Sequence, residues 1–165
     1  MNMKPGRILR HLATTHWRVR RAFPPDTVLA IQQAIHAVEA DHQGEIRFAV
    51  EGALHPADLF RDRTPRERAI EVFSQLRVWD TQENTGVLIF VLLADRAVEI
   101  VADRGVHAKV GSPGWDEICR TMQTAFGQGK FREGALAGIE AVSAHLGEHY
   151  PSAKPGELPD RPVFL

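Results

Sequence analysis

Cysteine is almost missing from this chain of 165 residues: Cys119 stands alone. One thiol excludes an intramolecular disulfide and a thiolate zinc cage, and it suits a reducing compartment. Cys119 lies in Trp115-x-x-Ile118-Cys119-x-x-Met122, an apolar helical face, which marks it as a small buried hydrophobe. Long apolar runs are missing as well. The longest, Val87 to Ala94, is strand-sized, far below the roughly 18 residues of a membrane helix. The start of the chain has no apolar h-region of a secretory signal, so the expectation is a cytoplasmic protein, at most peripheral to a membrane. Neither charge sign dominates: twenty Lys and Arg face twenty-one Asp and Glu, a net charge of -1. The molecule as a whole is therefore not built around a polyanion.

Acids are missing from one place in particular. Lys4, Arg7, Arg10, Arg18, Arg20 and Arg21 all precede the first acid, Asp26. Residues 1–23 read as a basic arm for an unidentified protein partner or an anionic surface. The alternative is a short docking helix with Ile8, Leu9 and Leu12 inward and its arginines solvated. Aromatic residues do not interleave with the arginines as a stacking platform needs, so no nucleic-acid partner is expected.

What is present is a well-patterned single domain, and 165 residues suffice for a real core. Pro24-Pro25 stops any preceding helix. Asp26 can cap a new one, whose Val28, Ile31, Ile35 and Val38 recur at helical spacing up to Gly44. Ile46, Phe48 and Val50 alternate, the mark of a strand with one buried face. Thr64-Pro65-Arg66-Glu67 is a capping box with proline at the first helical position, and Ala69, Ile70, Phe73 and Leu76 form that helix's inner face. The continuous apolar run Val87–Leu93 fits a strand covered on both sides. "ADRA" turns the chain, and "VEIVA" returns as its antiparallel partner. Ser112-Pro113 opens a helix broken at Gly127 and Gly129. Phe131, Ala135, Ile139, Val142 and Leu146 mark the last helix. Residues 151–165, with Pro151, Pro155, Pro159 and Pro162, read as an extended tail. The expected organisation is a basic arm (1–23), an α/β domain (24–150) and a proline-containing tail (151–165).

The hairpin brings "WDTQENTG" (79–86) and "ADRGVHAKVG" (102–111) to one end of the sheet. Asp80, Glu83, Asn84 and Asp103 then share a neighbourhood, with Arg104 close by. Several oxygen donors on irregular backbone are what Ca2+ or Mg2+ requires, and Gly86, Gly105 and Gly111 permit close turns. The same residues also fit ordinary roles, Asp80 and Asn84 in turns and Asp103 in an ion pair with Arg104 or Arg96. The spacing is not that of an EF-hand. No organic cofactor is expected. Glu51 and His55 fall at the opposite sheet end if the strands are parallel. His145 and His149 are four apart on the last helix but lack the H-E-x-x-H order.

Four stretches in order resemble the TPM domain family, in its small stand-alone bacterial form: the helix before "GEIRFAV", "RERAIEVFSQLRVWDT", "NTGVLIFVLLADRAVEIVADRGV" and "FGQGKFREGALAGIEAV". The resemblance covers about residues 24–149. It implies a three-layer α/β/α sandwich around a short mixed sheet with a β-hairpin. Among such proteins it implies weak acid phosphatases, calcium binders and accessory proteins. The family's acidic or amide positions before the strand glycine fall on Asn84 and Thr85, and Thr85 stands where an Asn is usual.

Two functions follow as expectations. One is an accessory or binding module holding a divalent cation at the 80–86/103–105 end through Asp80, Glu83, Asn84 and Asp103. The other is a metal-assisted phosphomonoesterase, in which Asp80 or Asp103 serves as ligand or nucleophile and Arg104 steadies charge. The sequence contains no Cys-x5-Arg, P-loop or Arg-His-Gly signature.

Overall fold

The computed structural model describes residues 4–152 and 156–165. The first three residues of the basic arm and Pro155 of the tail lie outside the described residues. The order of elements is α1 (Pro5–Ala13), α2 (His16–Ala22), α3 (Pro25–Glu39), β1 (Glu45–Glu51), α4 (Pro56–Phe60), α5 (Pro65–Gln75), β2 (Gly86–Leu92), β3 (Ala97–Ala102), α6 (Arg104–Gly127), α7 (Phe131–His149) and β4 (Val163–Phe164). The strands form one mixed sheet in the order β3-β2-β1-β4. β1 and β2 are parallel, with Glu45 opposite Gly86 and Glu51 opposite Leu92. β2 and β3 form the antiparallel hairpin, with Val87 opposite Ala102.

Alternation along the strands divides the core into two layers. Ile46, Phe48 and Val50, together with Val87, Ile89 and Val91, face α3, α6 and α7 through Ile31, Ile35, Met122 and Ile139. Ala49, Leu88, Phe90 and Leu92 face α4 and α5 through Leu59, Ala69, Val72 and Phe73. The architecture is thus an α/β/α sandwich around a short mixed sheet, and β2 is apolar throughout because both its faces are covered.

β1 departs from the expectation of one buried face, because all seven of its residues are buried. Its polar side chains stay inside because each is met by a partner. Glu51 takes a two-pronged ion pair from Arg68 of α5 at 2.8 and 2.9 Å. Arg47 donates to the carbonyls of Pro159 and Arg161. The Glu45 carboxylate accepts the N–H groups of Glu157 and Leu158 at 2.9 and 3.2 Å. These bonds fold residues 156–165 back along the sheet, where Val163 and Phe164 pair in parallel with Ala49 and Val50.

Local signals elsewhere act as their chemistry dictates. Thr64 and Glu67 form the reciprocal capping box that starts α5. On that helix Ala69, Val72 and Phe73 face inward, whereas Ile70 is exposed. The stripe 69-72-73-76 follows the helical period, which leaves Ile70 on the far side. α3 starts at Pro25, so Asp26 sits in its first turn rather than at the cap. Residues 104–110 are helical, not a loop, and Gly111 at φ 78° kinks the chain before Ser112-Pro113 starts the longer part of α6.

Candidate functional site

The polar loop between α5 and β2 is held by its own backbone and by short side chains. Asn84, at φ 51°, adopts the left-handed conformation that Asn tolerates better than most residues, and its N–H reaches the Thr81 carbonyl at 3.2 Å. Thr81 Oγ1 accepts the Thr85 N–H at 3.0 Å. Thr85 is buried, and its hydroxyl donates to the Gln43 carbonyl at 2.9 Å. It ties the loop to the segment before β1.

The loop and the start of α6 do meet, and they meet at Gly86. Its N–H donates to Asp103 Oδ2 at 2.8 Å, and the Asp103 N–H donates to the Gly86 carbonyl at 2.9 Å. Asp103 stands at the N-cap of α6, but its side chain caps the strand rather than the helix. Burial pushes its carboxyl above the ordinary carboxylate range, and the Gly86 N–H partly opposes that rise. A Cβ on Gly86 would lie 1.9 Å from the Val78 carbonyl oxygen and 3.1 Å from Asp103 Oδ2. A carboxylate and a backbone carbonyl therefore converge beside a backbone that only glycine leaves open.

The other expected residues lie nearer the surface. Asp80 is exposed and paired with Arg77 at 2.7 Å, and the Arg77 guanidinium also lies 5.6 Å over the Trp79 ring. Glu83, Asn84 and Arg104 are exposed. The expected pairing of Asp103 with Arg104 or Arg96 does not occur among the described ion pairs. Among the described residues, no group of three or more His, Cys, Asp and Glu side chains is gathered closely enough to hold a metal by itself. A cation here would have to draw on Val78 and other backbone oxygens, a donor type that Ca2+ accepts readily.

The opposite sheet end carries Glu51, held by Arg68, and His55, whose Nδ1 accepts the Ala57 N–H at 3.3 Å to cap α4. His145 packs edge-on against Trp115, with ring centroids 5.7 Å apart. Cys119 is only partly buried against the core, and that burial pushes its thiol up to about 12, in keeping with an inert side chain.

Two polar clusters went unread in the sequence. At the β2–β3 turn, Asp95 accepts from Arg7 of α1 at both oxygens, with Nε 3.0 Å from Oδ1 and Nη2 2.8 Å from Oδ2. His11 Nε2 reaches the same carboxylate at 3.0 Å, while its Nδ1 accepts the Leu54 N–H at 3.0 Å. Burial alone would push the Asp95 carboxyl up, but the bonds from Arg7 and His11 hold it below its ordinary value. Arg7 also reaches the Arg63 carbonyl at 2.6 Å and Asp62 at 3.2 Å. Under the folded-back segment, Glu39, Glu45 and Asp160 form the second cluster. Glu39 is buried, its Oε1 accepts the Ile46 N–H at 2.7 Å, and burial pushes its carboxyl up to about 8. No local signal marks either cluster, because each joins residues far apart in the chain.

The description of the TPM domain matches residues 20–145. The chain belongs to the TPM domain family. The BA42 protein of the psychrophilic bacterium Bizionia argentinensis, solved by NMR, is 32% identical; the match covers 85% of this chain and 93% of BA42, with a TM-score of 0.72. The N-terminal domain of a P. gingivalis protein, also solved by NMR, is 19% identical over 71% of each chain, with a TM-score of 0.56, and shares the fold. No curated protein matches. As a TPM domain this chain sets its Gly86–Asp103 junction at the start of the central strand β2, where the polar loop, the strand and α6 converge.

Proposed function

We propose that this TPM domain is an accessory binding module whose 80–86/103–105 end takes a divalent cation of the Ca2+ or Mg2+ class. The observation that supports the reading is the convergence of the Asp103 carboxylate and the Val78 carbonyl on the Gly86 backbone. Both are hard oxygen donors, and burial holds the carboxylate in a setting where a nearby positive charge would favour its ionised form. Asp80, Glu83 and Asn84 lie in the adjoining loop and supply oxygens from the solvent side. Asp80 and Arg104 stand exposed on the rim, which favours binding over catalysis in an enclosed site. The phosphomonoesterase reading keeps the same residues, with the bound ion polarising a phosphoryl oxygen and Arg104 beside it.

The experiment is a Ca2+ and Mg2+ titration followed by amide NMR shifts, on the native chain and on Asp103→Asn and Asp80→Asn. Shifts confined to residues 78–86 and 103–105, weakened in both variants, are expected. Their absence at millimolar metal overturns the proposal. Hydrolysis of an aryl phosphate that requires the metal and is lost in Asp103→Asn would move the assignment to catalysis.

A further inference from the structure

α1 is an amphipathic helix mounted the wrong way round. A surface helix normally buries its apolar stripe and exposes its charges. Here the inward face carries Arg7 and His11, both locked onto Asp95. Leu9 and Leu12 face outward, 69% and 67% exposed, against the expectation that they pack inside. α2 continues the display. Ala22 and Val19 pack on the core, while Trp17 is 63% exposed, with the Arg21 guanidinium 5.2 Å over its ring. These apolar groups are held out by a defined set of bonds rather than by fraying.

The exposed charge around them is mostly basic, although Asp95 and Asp62 meet Arg7 on the inward side of α1. Six cations and no acid occur up to residue 25, which leaves fourteen cations against twenty-one acids in the remainder of the chain. Arg18, Arg20 and Arg21 are exposed beside the apolar residues, and Arg10, also exposed, lies 4.0 Å from Asp95. Next to Trp17 lies a groove of about 660 Å³ lined by Arg18, Arg21 and Arg96 over Leu93, Phe126 and Phe131, with no acidic residue in its lining. Arg18 and Arg96 make no ion pair with a described residue.

We propose that this face docks onto an anionic lipid bilayer, with Leu9, Leu12 and Trp17 entering the boundary of the acyl chains. The arginines then meet the headgroup phosphates, those of the groove included. Outward leucine and tryptophan flanked by arginine is the composition of an interfacial anchor, and tryptophan favours the headgroup level. A short apolar face alone binds lipid marginally, and the basic surround supplies the second contribution that stable anchoring needs. An acidic protein partner would account for the arginines but not for three separate apolar side chains raised among them. The face adjoins the C-terminal end of β2, at the opposite sheet end from Gly86, so its failure would leave the cation reading untouched.

The test is co-sedimentation of the full chain with vesicles of mixed phosphatidylglycerol and phosphatidylcholine, and with phosphatidylcholine alone. Binding to the mixed vesicles only, weakened by salt, is expected. A blue shift in tryptophan emission that disappears in Trp17→Phe should accompany it. Leu9→Glu with Leu12→Glu should lower partitioning by at least about tenfold. Arg18→Glu with Arg21→Glu should lower it by about fivefold or more for each charge removed. All four side chains are exposed, and unchanged melting curves would confirm that the variants fold. No binding to the mixed vesicles at low salt overturns the proposal. So does binding that ignores the leucine changes, or capture by polyglutamate without capture by vesicles.

Discussion

Glu39 should make this protein lose stability as pH rises from acid to about 8, and Glu39→Gln should remove that loss. The side chain is 6% exposed at the end of α3. One oxygen accepts the Ile46 N–H at 2.7 Å, and the other lies beneath the folded-back segment near Glu45 and Asp160. Burial, with those like charges adding to it, lifts the carboxyl from 4.5 to about 8. In the unfolded chain the group ionises at its ordinary value. Between the two values the native state therefore holds the extra proton, so stability is complete at acid pH and declines as pH rises through the interval. The slope for one proton is about 1.4 kcal/mol per pH unit, an upper bound here because Glu45 and Asp160 share the titration. Over about three units, from about pH 5 to pH 8, the loss reaches at most about 4 kcal/mol. Gln keeps an oxygen for the Ile46 N–H, offers an N–H to Asp160 and never ionises. Urea unfolding of both proteins across this range is the assay. The variant should gain on the native protein steadily as pH rises. Parallel stability curves would refute the reasoning, because they would mean that Glu39 ionises alike in both states.

Two further perturbations have defined outcomes. Gly86→Ala places a methyl 1.9 Å from a backbone carbonyl that cannot rotate away; it should cost on the order of 3 kcal/mol or more, read as a lower urea midpoint with an unchanged m-value. Asp95→Asn leaves Arg7 with only the exposed Asp62 as a charge partner and should loosen α1, at a cost of roughly 2–3 kcal/mol. Amide hydrogen exchange should rise in residues 5–13 and stay slow in β1 and β2. Because the Asp95 carboxyl is held below its ordinary value, its contribution is fully present above that value and is lost as pH falls from there through the lower native value.

The elements with local signatures are legible in the amino-acid sequence. The capping box at Thr64, the two-sided apolar run of β2 and the hairpin after it each carry their cause within a few residues. The meeting of residues 79–86 with Asp103 follows from the hairpin alone. What escapes such a reading depends on partners distant in sequence. Arg7 and His11 look like ordinary polar residues of an amphipathic helix until Asp95, more than eighty residues away, draws that face inward. The same contact turns Leu9 and Leu12 outward. Glu45, Arg47 and Glu51 look like the wet side of a half-buried strand until Arg68 and the chain beyond residue 156 cover them. The hairpin places Asp103 correctly, but its tie to the Gly86 N–H needs the register of the two strands.

The pairing of Val163 and Phe164 with Ala49 and Val50 has a bearing on synthesis at the ribosome. β1 is made early, yet its outer side waits for more than a hundred further residues to emerge. Until then a nascent chain presents that strand to any neighbour able to add one of its own. Glu45 and Arg47 sit along the strand throughout the wait, and their charges discourage an apolar intruder until residues 157–161 arrive to claim them. Crowded expression of chains cut before residue 156 should therefore give aggregates in which β1 is the adhesive segment.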